Sequence, residues 1–174
     1  MAVIEAIATT YLEADATSVT FSSLGSYEHL QLRCSMKSDR SASAVDGFQI
    51  TFNGDTASVY SHYYMWGSGT SESVNGWTGT RLNIQNMLAG DAGVTPAANF
   101  GIAIIDILDY RNANKNTTVS ALMGTTGTTL WSTVSFESGL WDNTAAVTSI
   151  LLDQVNGPNF MRGSEFTVYG LASS

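Results

Sequence analysis

At 174 residues the chain can bury about two thirds of its unfolded surface in one core and is too short for two full domains. A formal net charge of -8, a sequence pI near 4.4 and the lack of any Lys/Arg cluster exclude a nucleic-acid surface, because neutralising phosphates needs a basic patch. Charged residues make up only 13% of the chain, and Ser, Thr, Asn and Gly fill the segments between apolar runs, which suits a secreted, extracellular or assembly-embedded β-protein better than a cytosolic enzyme. The negative charge itself serves solubility and mutual repulsion.

Val3 to Thr10 (V-I-E-A-I-A-T-T) reads as a first strand or as an arm that pairs elsewhere. Glu5, the missing basic start and the short apolar stretch exclude a signal peptide there, and no run reaches the roughly 18 apolar residues that span a bilayer. Residues 1–15 are thus an N-terminal arm or first strand, and 16–174 a single β-sandwich domain. Ser18 to Phe21 alternates Val19 and Phe21 with polar neighbours, and the turn around Gly25 leads into the clearest strand of the chain. There Leu30, Leu32, Cys34 and Met36 occupy every second position, with Gln31, Arg33 and Ser35 between them. Side chains of a strand point alternately to opposite faces, so one face is buried and one is wet, as in an antiparallel sheet. Ser18–Phe21 is the expected partner of this strand. Cys34, the only cysteine, lies on the apolar face, reads as a small core residue, and leaves no intrachain disulfide to form.

Ser38 to Asp46 is a polar loop, and Gly47 to Phe52 repeats the alternation before the turn signal Asn53-Gly54-Asp55. Ser58 to Trp66 is aromatic and extended, and Gly67 to Gly79 is a glycine- and serine-rich loop carrying Trp77. Thr80 to Met87 alternates again, and Ala89 to Ala98, with Gly90, Gly93 and Pro96, is a loop. Phe100 to Leu108 is the most apolar run; its β-branched isoleucines and flanking turn formers favour strand over buried helix. Thr117–Gly124, Thr129–Glu137, Ala146–Leu152 and Glu165–Leu171 follow as strands, with Trp131 and Trp141 as core residues. Eight to ten strands and no long helix predict an all-β chain, an antiparallel β-sandwich of jelly-roll type.

The chemistry-bearing residues form no constellation. His29 and His62 are the only histidines, read as an exposed strand residue and a loop or sheet residue, and neither sits at zinc-ligand spacing. Asp106, Asp109, Glu137 and Asp142 are the carboxylates that a glycoside hydrolase would need in pairs, but Asp106 and Asp109 are oddly spaced and point to opposite faces of a strand. Asp109 with Asn112, Asn114 and Asn116 could hold calcium, although the same composition makes an ordinary turn. The expectation is therefore no enzyme: no catalytic residue, no cofactor and no metal ligand. The aromatic residues Tyr63, Tyr64, Trp66 and Trp77 offer the other candidate, with Tyr64, Trp66 and Trp77 as an interaction surface that could stack on sugar rings, or else fill the core or a subunit interface.

The succession S-V-T-F-S-S-L at 18–24, Y-x-H-L-x-L-R from Tyr27, F-N-x-D-T from Phe52, I-D-I-L-D-Y-x-N-x-N-K from Ile105 and F-x-x-Y-G from Phe166 resembles a family of tailed-bacteriophage proteins. These are common among phages of marine and freshwater bacteria, including cyanobacteria, and the resemblance spans residues 16–170. It implies a virion structural protein. With only about 15 residues ahead of the domain and no shaft segment, it implies a capsid decoration or cement protein more than a tail fibre. The expected partners are the major capsid protein and the chain itself, as a homotrimer on the capsid surface whose segment Ala2 to Thr10 reaches a neighbour. The alternative is a tail-fibre or tail-tip module that binds a host surface glycan. Neither nucleic acid nor membrane is a partner. Tyr27, Leu30 and Leu32 are expected to anchor the sandwich, and Asp109, Tyr110 and Lys115 to fix a strand-end turn.

Overall fold

The computed structural model describes residues 3–89, 99–126 and 132–172. Twelve strands run through these residues, and no helix occurs among them. In chain order they are β1 (Val3–Tyr11), β2 (Ser18–Ser22), β3 (His29–Met36), β4 (Val45–Phe52), β5 (Tyr60–Ser68), β6 (Ser71–Gly79), β7 (Leu82–Ala89), β8 (Gly101–Leu108), β9 (Thr117–Thr125), β10 (Thr133–Trp141), β11 (Ser149–Gln154) and β12 (Glu165–Ala172). They form an eight-stranded sheet in the order β1-β12-β3-β8-β9-β10-β5-β6 and a four-stranded sheet in the order β2-β11-β4-β7, every described pair antiparallel.

The two layers pack as the antiparallel sandwich that the alternation predicts. Eight strands in one layer depart from the simple eight-stranded jelly roll. The core lies between the sheets: Leu30, Leu32 and Met36 of β3, Ile105 and Ile107 of β8, and Phe166 and Val168 of β12 face Phe48, Ile50 and Phe52 of β4 and Ile150 and Leu152 of β11. All of these are fully buried. β7 lies over β10, β9, β8 and β5, and it can approach closely because Gly139 of β10 has no side chain where Leu82 packs. Burial pushes the Cys34 thiol up to about 12, so it is an inert core group.

Several expectations are corrected here. β2 does not pair with β3: it lies in the small sheet beside β11, because the turn at Gly25 carries the chain from one layer to the other. Gly67 to Gly79 is no loop; it contains the end of β5, a tight turn at Gly69 (φ 63°) and all of β6. Thr129–Glu137 is displaced toward the C-terminus as β10, while Trp131 and most of the Ala89–Ala98 loop lie outside the described residues. Trp141 is the core residue expected, buried against Phe52 and Tyr60 with its indole N–H donating to Asp55 Oδ2 at 3.0 Å. Val3–Tyr11 pairs along its length with β12 of the same chain.

The turns match their residues more closely. Asn53 and Gly54 both take positive φ (53° and 67°), and Asn53 Oδ1 accepts from the Thr148 and Ser149 backbones, which ties the end of β4 to β11. The Tyr27 hydroxyl donates to Glu5 Oε2 at 2.8 Å, and the Tyr110 hydroxyl lies 3.1 and 2.9 Å from the Leu24 and Gly25 carbonyls. Asp109 (φ 50°) is held by an ion pair with Lys115. The polar loop before β4 closes on Asp46, a buried carboxylate that accepts from Ser38 Oγ (2.7 Å), Asn156 Nδ2 (2.9 Å) and the Gly157 backbone (2.9 Å). These bonds, with that from the Gly47 backbone at 2.8 Å, satisfy the buried carboxyl and tie the β3–β4 and β11–β12 loops to the start of β4.

Candidate functional site

Alternation sets two faces for every strand of the large sheet, and the chemistry of those faces reverses from one end of the sheet to the other. In β3 the inner positions are Leu30, Leu32, Cys34 and Met36 and the outer ones Gln31, Arg33 and Ser35. In β10 the inner positions include Thr133, Ser135 and Glu137, all buried, and the outer ones are Val134 and Phe136, which are 58% and 50% exposed. β5 and β6 follow β10: His62, Tyr64, Trp66 and Trp77 face inward, while Tyr63, Met65 and Val74 face solvent.

The register lines up the outward apolar residues. Ile104 sits beside Leu122, Leu122 beside Phe136, Phe136 beside Met65, and Met65 beside Val74. This is one row across five adjacent strands, about 19 Å wide at roughly 4.8 Å per strand. Ile102, Val134 and Tyr63 flank it, Tyr63 resting on the strand partner Gly76, where a Cβ would come within 2.5 Å of the ring. Between the side chains lies an open groove of about 420 Å³ lined by Met65, Val74, Leu122, Val134 and Phe136, with Glu72 at its rim. At their fractional exposures these eight side chains present roughly 900 Å² to solvent, above the largest patch of an ordinary monomer and close to one side of a standard protein interface.

Beyond Ile104 the same row turns polar. Its neighbour is Arg33, then Thr167 and Thr9, whose hydroxyls lie 3.0 Å apart. Arg33 lies 4.8 Å over the Tyr169 ring and donates to Gln31, which in turn donates to Asp106 at 2.8 Å. That half of the outer face is satisfied by its own side chains.

The expected interaction residues divide between faces. Tyr64, Trp66 and Trp77 are half-buried on the inner side of the β5–β6 hairpin, and Tyr63 is on the outer side. Trp77 meets Tyr64 edge-on at 5.5 Å and His62 at 4.4 Å. His62 is 1% exposed, and neither ring nitrogen has a hydrogen-bond partner among the described residues; burial lowers its pKa to about 4, so it is neutral at pH 7. His29, expected to be exposed, is half-buried, and its Nδ1 accepts from the Asp109 backbone N–H at 2.9 Å.

The carboxylates do not converge. Asp106 is on the outer face with Gln31, Glu137 is on the inner face, Asp109 is paired with Lys115, and Asp142 accepts from Asn116 Nδ2 at 2.6 Å. The Lys115 ammonium holds the Asp109 carboxyl below its ordinary range. Asn112 Oδ1 accepts from the Asn114 backbone, so the segment after β8 is bonded as a turn. Ligand atoms of Glu28, His29 and Asp109 do come within 4.8 Å of one another, yet the Asp109 oxygens already serve Lys115 and His29 Nδ1 is occupied.

Sequence reasoning missed the outward row. The signal was present in the alternation T-V-S-F-E of β10, but a period of two does not say which set faces the core. No protein-family model matches this chain, and no curated protein is significantly similar to it.

Proposed function

We propose that this protein is a non-enzymatic structural subunit of a larger protein assembly, and specifically a tailed-phage virion protein that decorates the outer capsid shell in many copies. The observation that carries the structural reading is the five-strand apolar row Ile104–Leu122–Phe136–Met65–Val74 on the outside of the sheet. An apolar row of this size exceeds what a solitary soluble domain exposes and fits burial against protein. The virion assignment rests on the resemblance of the sequence motifs to those of a phage family. Small contacts repeated over many copies would supply the affinity, with the major capsid protein and the chain itself as partners.

The test is to add purified protein to shells lacking it and image the particles by electron microscopy. Regular density on the shell at many copies per particle is the expected result; bare shells with protein only at tails or on host cells would overturn it.

A second reading is favoured by the three half-buried rings Tyr64, Trp66 and Trp77, which share one face of the hairpin ending in the edge strand β6. Rings so placed can stack on a sugar while neighbouring Ser and Asn groups bond to its hydroxyls. A tail-tip glycan-binding module predicts a hit on a glycan array that is lost on Trp77→Ala; no hit, or full binding by that variant, removes this reading.

A further inference from the structure

The outer face of β8, β9, β10, β5 and β6 carries the one large unsatisfied surface among the described residues, and its occupant can be argued from its own layout. The row and its near flanks are apolar across five strands; the face's charges are Glu72, which lines the groove at the β6 edge, and Asp106 on β8, which is bonded to Gln31. It holds roughly 900 Å², slightly more than the roughly 800 Å² that each partner contributes to a stable interface. Its central row is symmetric in size about Phe136, which is flanked by the long side chains Met65 and Leu122, and these by the β-branched Val74 and Ile104. A half-turn about Phe136 therefore sets residues of similar size over one another in this row, a contact an isologous interface can hold.

We infer that the face is covered by the same face of a second copy of this chain, in a twofold dimer whose axis runs along β10. This rests on the structural-subunit reading above and names the partner of that face. The half-turn sets Phe136 against its counterpart, Met65 over Leu122 and Val74 over Ile104, and the two sheets pack as aligned layers about 10 Å apart. A chain of net charge -8 repels its copy at any charged contact, and here the contact carries no charge at its centre. A partner chosen for opposite charge would instead need acidic groups to meet, and the face offers only Glu72 at one edge and Asp106, already bonded to Gln31, at the other. The twofold arrangement also differs from the homotrimer expected from the sequence: a ring of three joins unlike patches, whereas this face matches itself.

The test is the mass of the purified full chain by sedimentation at micromolar concentration, together with Phe136→Lys and Phe136→Cys. Expected are a dimer for the wild type, association weakened by about 30-fold or more for Phe136→Lys, as for a central anchor, and a covalent dimer when Phe136→Cys is treated with a short bis-maleimide crosslinker, whose reach spans layers about 10 Å apart where a disulfide does not. Position 136 meets itself across the axis, so the crosslink reads the geometry even if the lysine variant folds poorly. The native Cys34 is buried and cannot supply that bond. A monomeric or trimeric wild type, or a dimer in which Phe136→Cys stays uncrosslinked, overturns the inference. Failure here is separable from failure of the structural role. A monomer that decorates shells, and ceases to on Phe136→Lys, gives the face to the shell and keeps the role. A crosslinking dimer that leaves shells bare keeps the dimer and removes the decoration role.

Discussion

The two ends of the eight-stranded sheet are built from the same alternation and reach opposite results. Around β3 the inner face is Leu30, Leu32 and Met36 under the small sheet, and the outer face is a bonded polar network of Arg33, Gln31 and Asp106. Around β10 the inner face holds Ser135, Glu137 and, on the next strand, His62, while Phe136 and Met65 stand in solvent. The difference teaches that a strand's partition into faces is decided by what lies against each face. β3 has the small sheet against one face and water against the other; β10 has β7 against one face and an exposed apolar row on the other.

Substitutions that reverse one end and leave the other untouched sharpen this contrast. Leu32→Ala, at a position with no exposure, should remove about 2–5 kcal/mol of stability, read from the denaturation midpoint; a loss below about 1 kcal/mol would mean that the β3 end is not the main core. Acid should act at the other end. His62 carries a pKa lowered by burial to about 4 against an ordinary 6.5, so the unfolded chain takes up the proton first. Its contribution is complete above pH 6.5 and is lost as the pH falls toward 4, by roughly 3 kcal/mol at most for a shift of this size. His62→Phe should flatten that part of the stability profile between pH 7 and 4.5, and equal slopes for both proteins would refute the assignment. The smallest effect on folding is expected for Phe136→Ser, within about 0.5 kcal/mol of wild type by thermal or chemical unfolding of the dissociated chain. A large loss there would mean that Phe136 belongs to the monomer core after all.

How much was legible follows from the same residues. The alternation of β3, β4 and β8 and the Asn53-Gly54 turn carried their structure in plain form, because one face of each strand is fully buried and the turn needs positive φ where Asn and Gly sit. The hairpin of β5 and β6 was masked by composition: Gly69, Gly76 and the serines of S-G-T-S-E-S resemble a loop, although the glycines serve a two-residue turn and the seat of the Tyr63 ring. Which sheet received β2 depended on contacts with β11, more than a hundred positions later, which no local signal carries. The candidate face stayed hidden for a similar reason. Each of its five row residues comes from a different strand, and only the register of four pairings makes them neighbours.

The pairing of β1 with β12 and of β12 with β3 has a consequence in time. The hydroxyl contact between Thr9 and Thr167 joins residues 158 positions apart, and β3 is made long before either of its neighbours, β8 and β12. During synthesis β3 therefore waits for both of its hydrogen-bonding neighbours, the second of which is made only with β12. A sheet whose order is so far from the order of translation folds slowly for its size, and it closes all at once, when the last-made strand slots between the two first-made strands of its own layer.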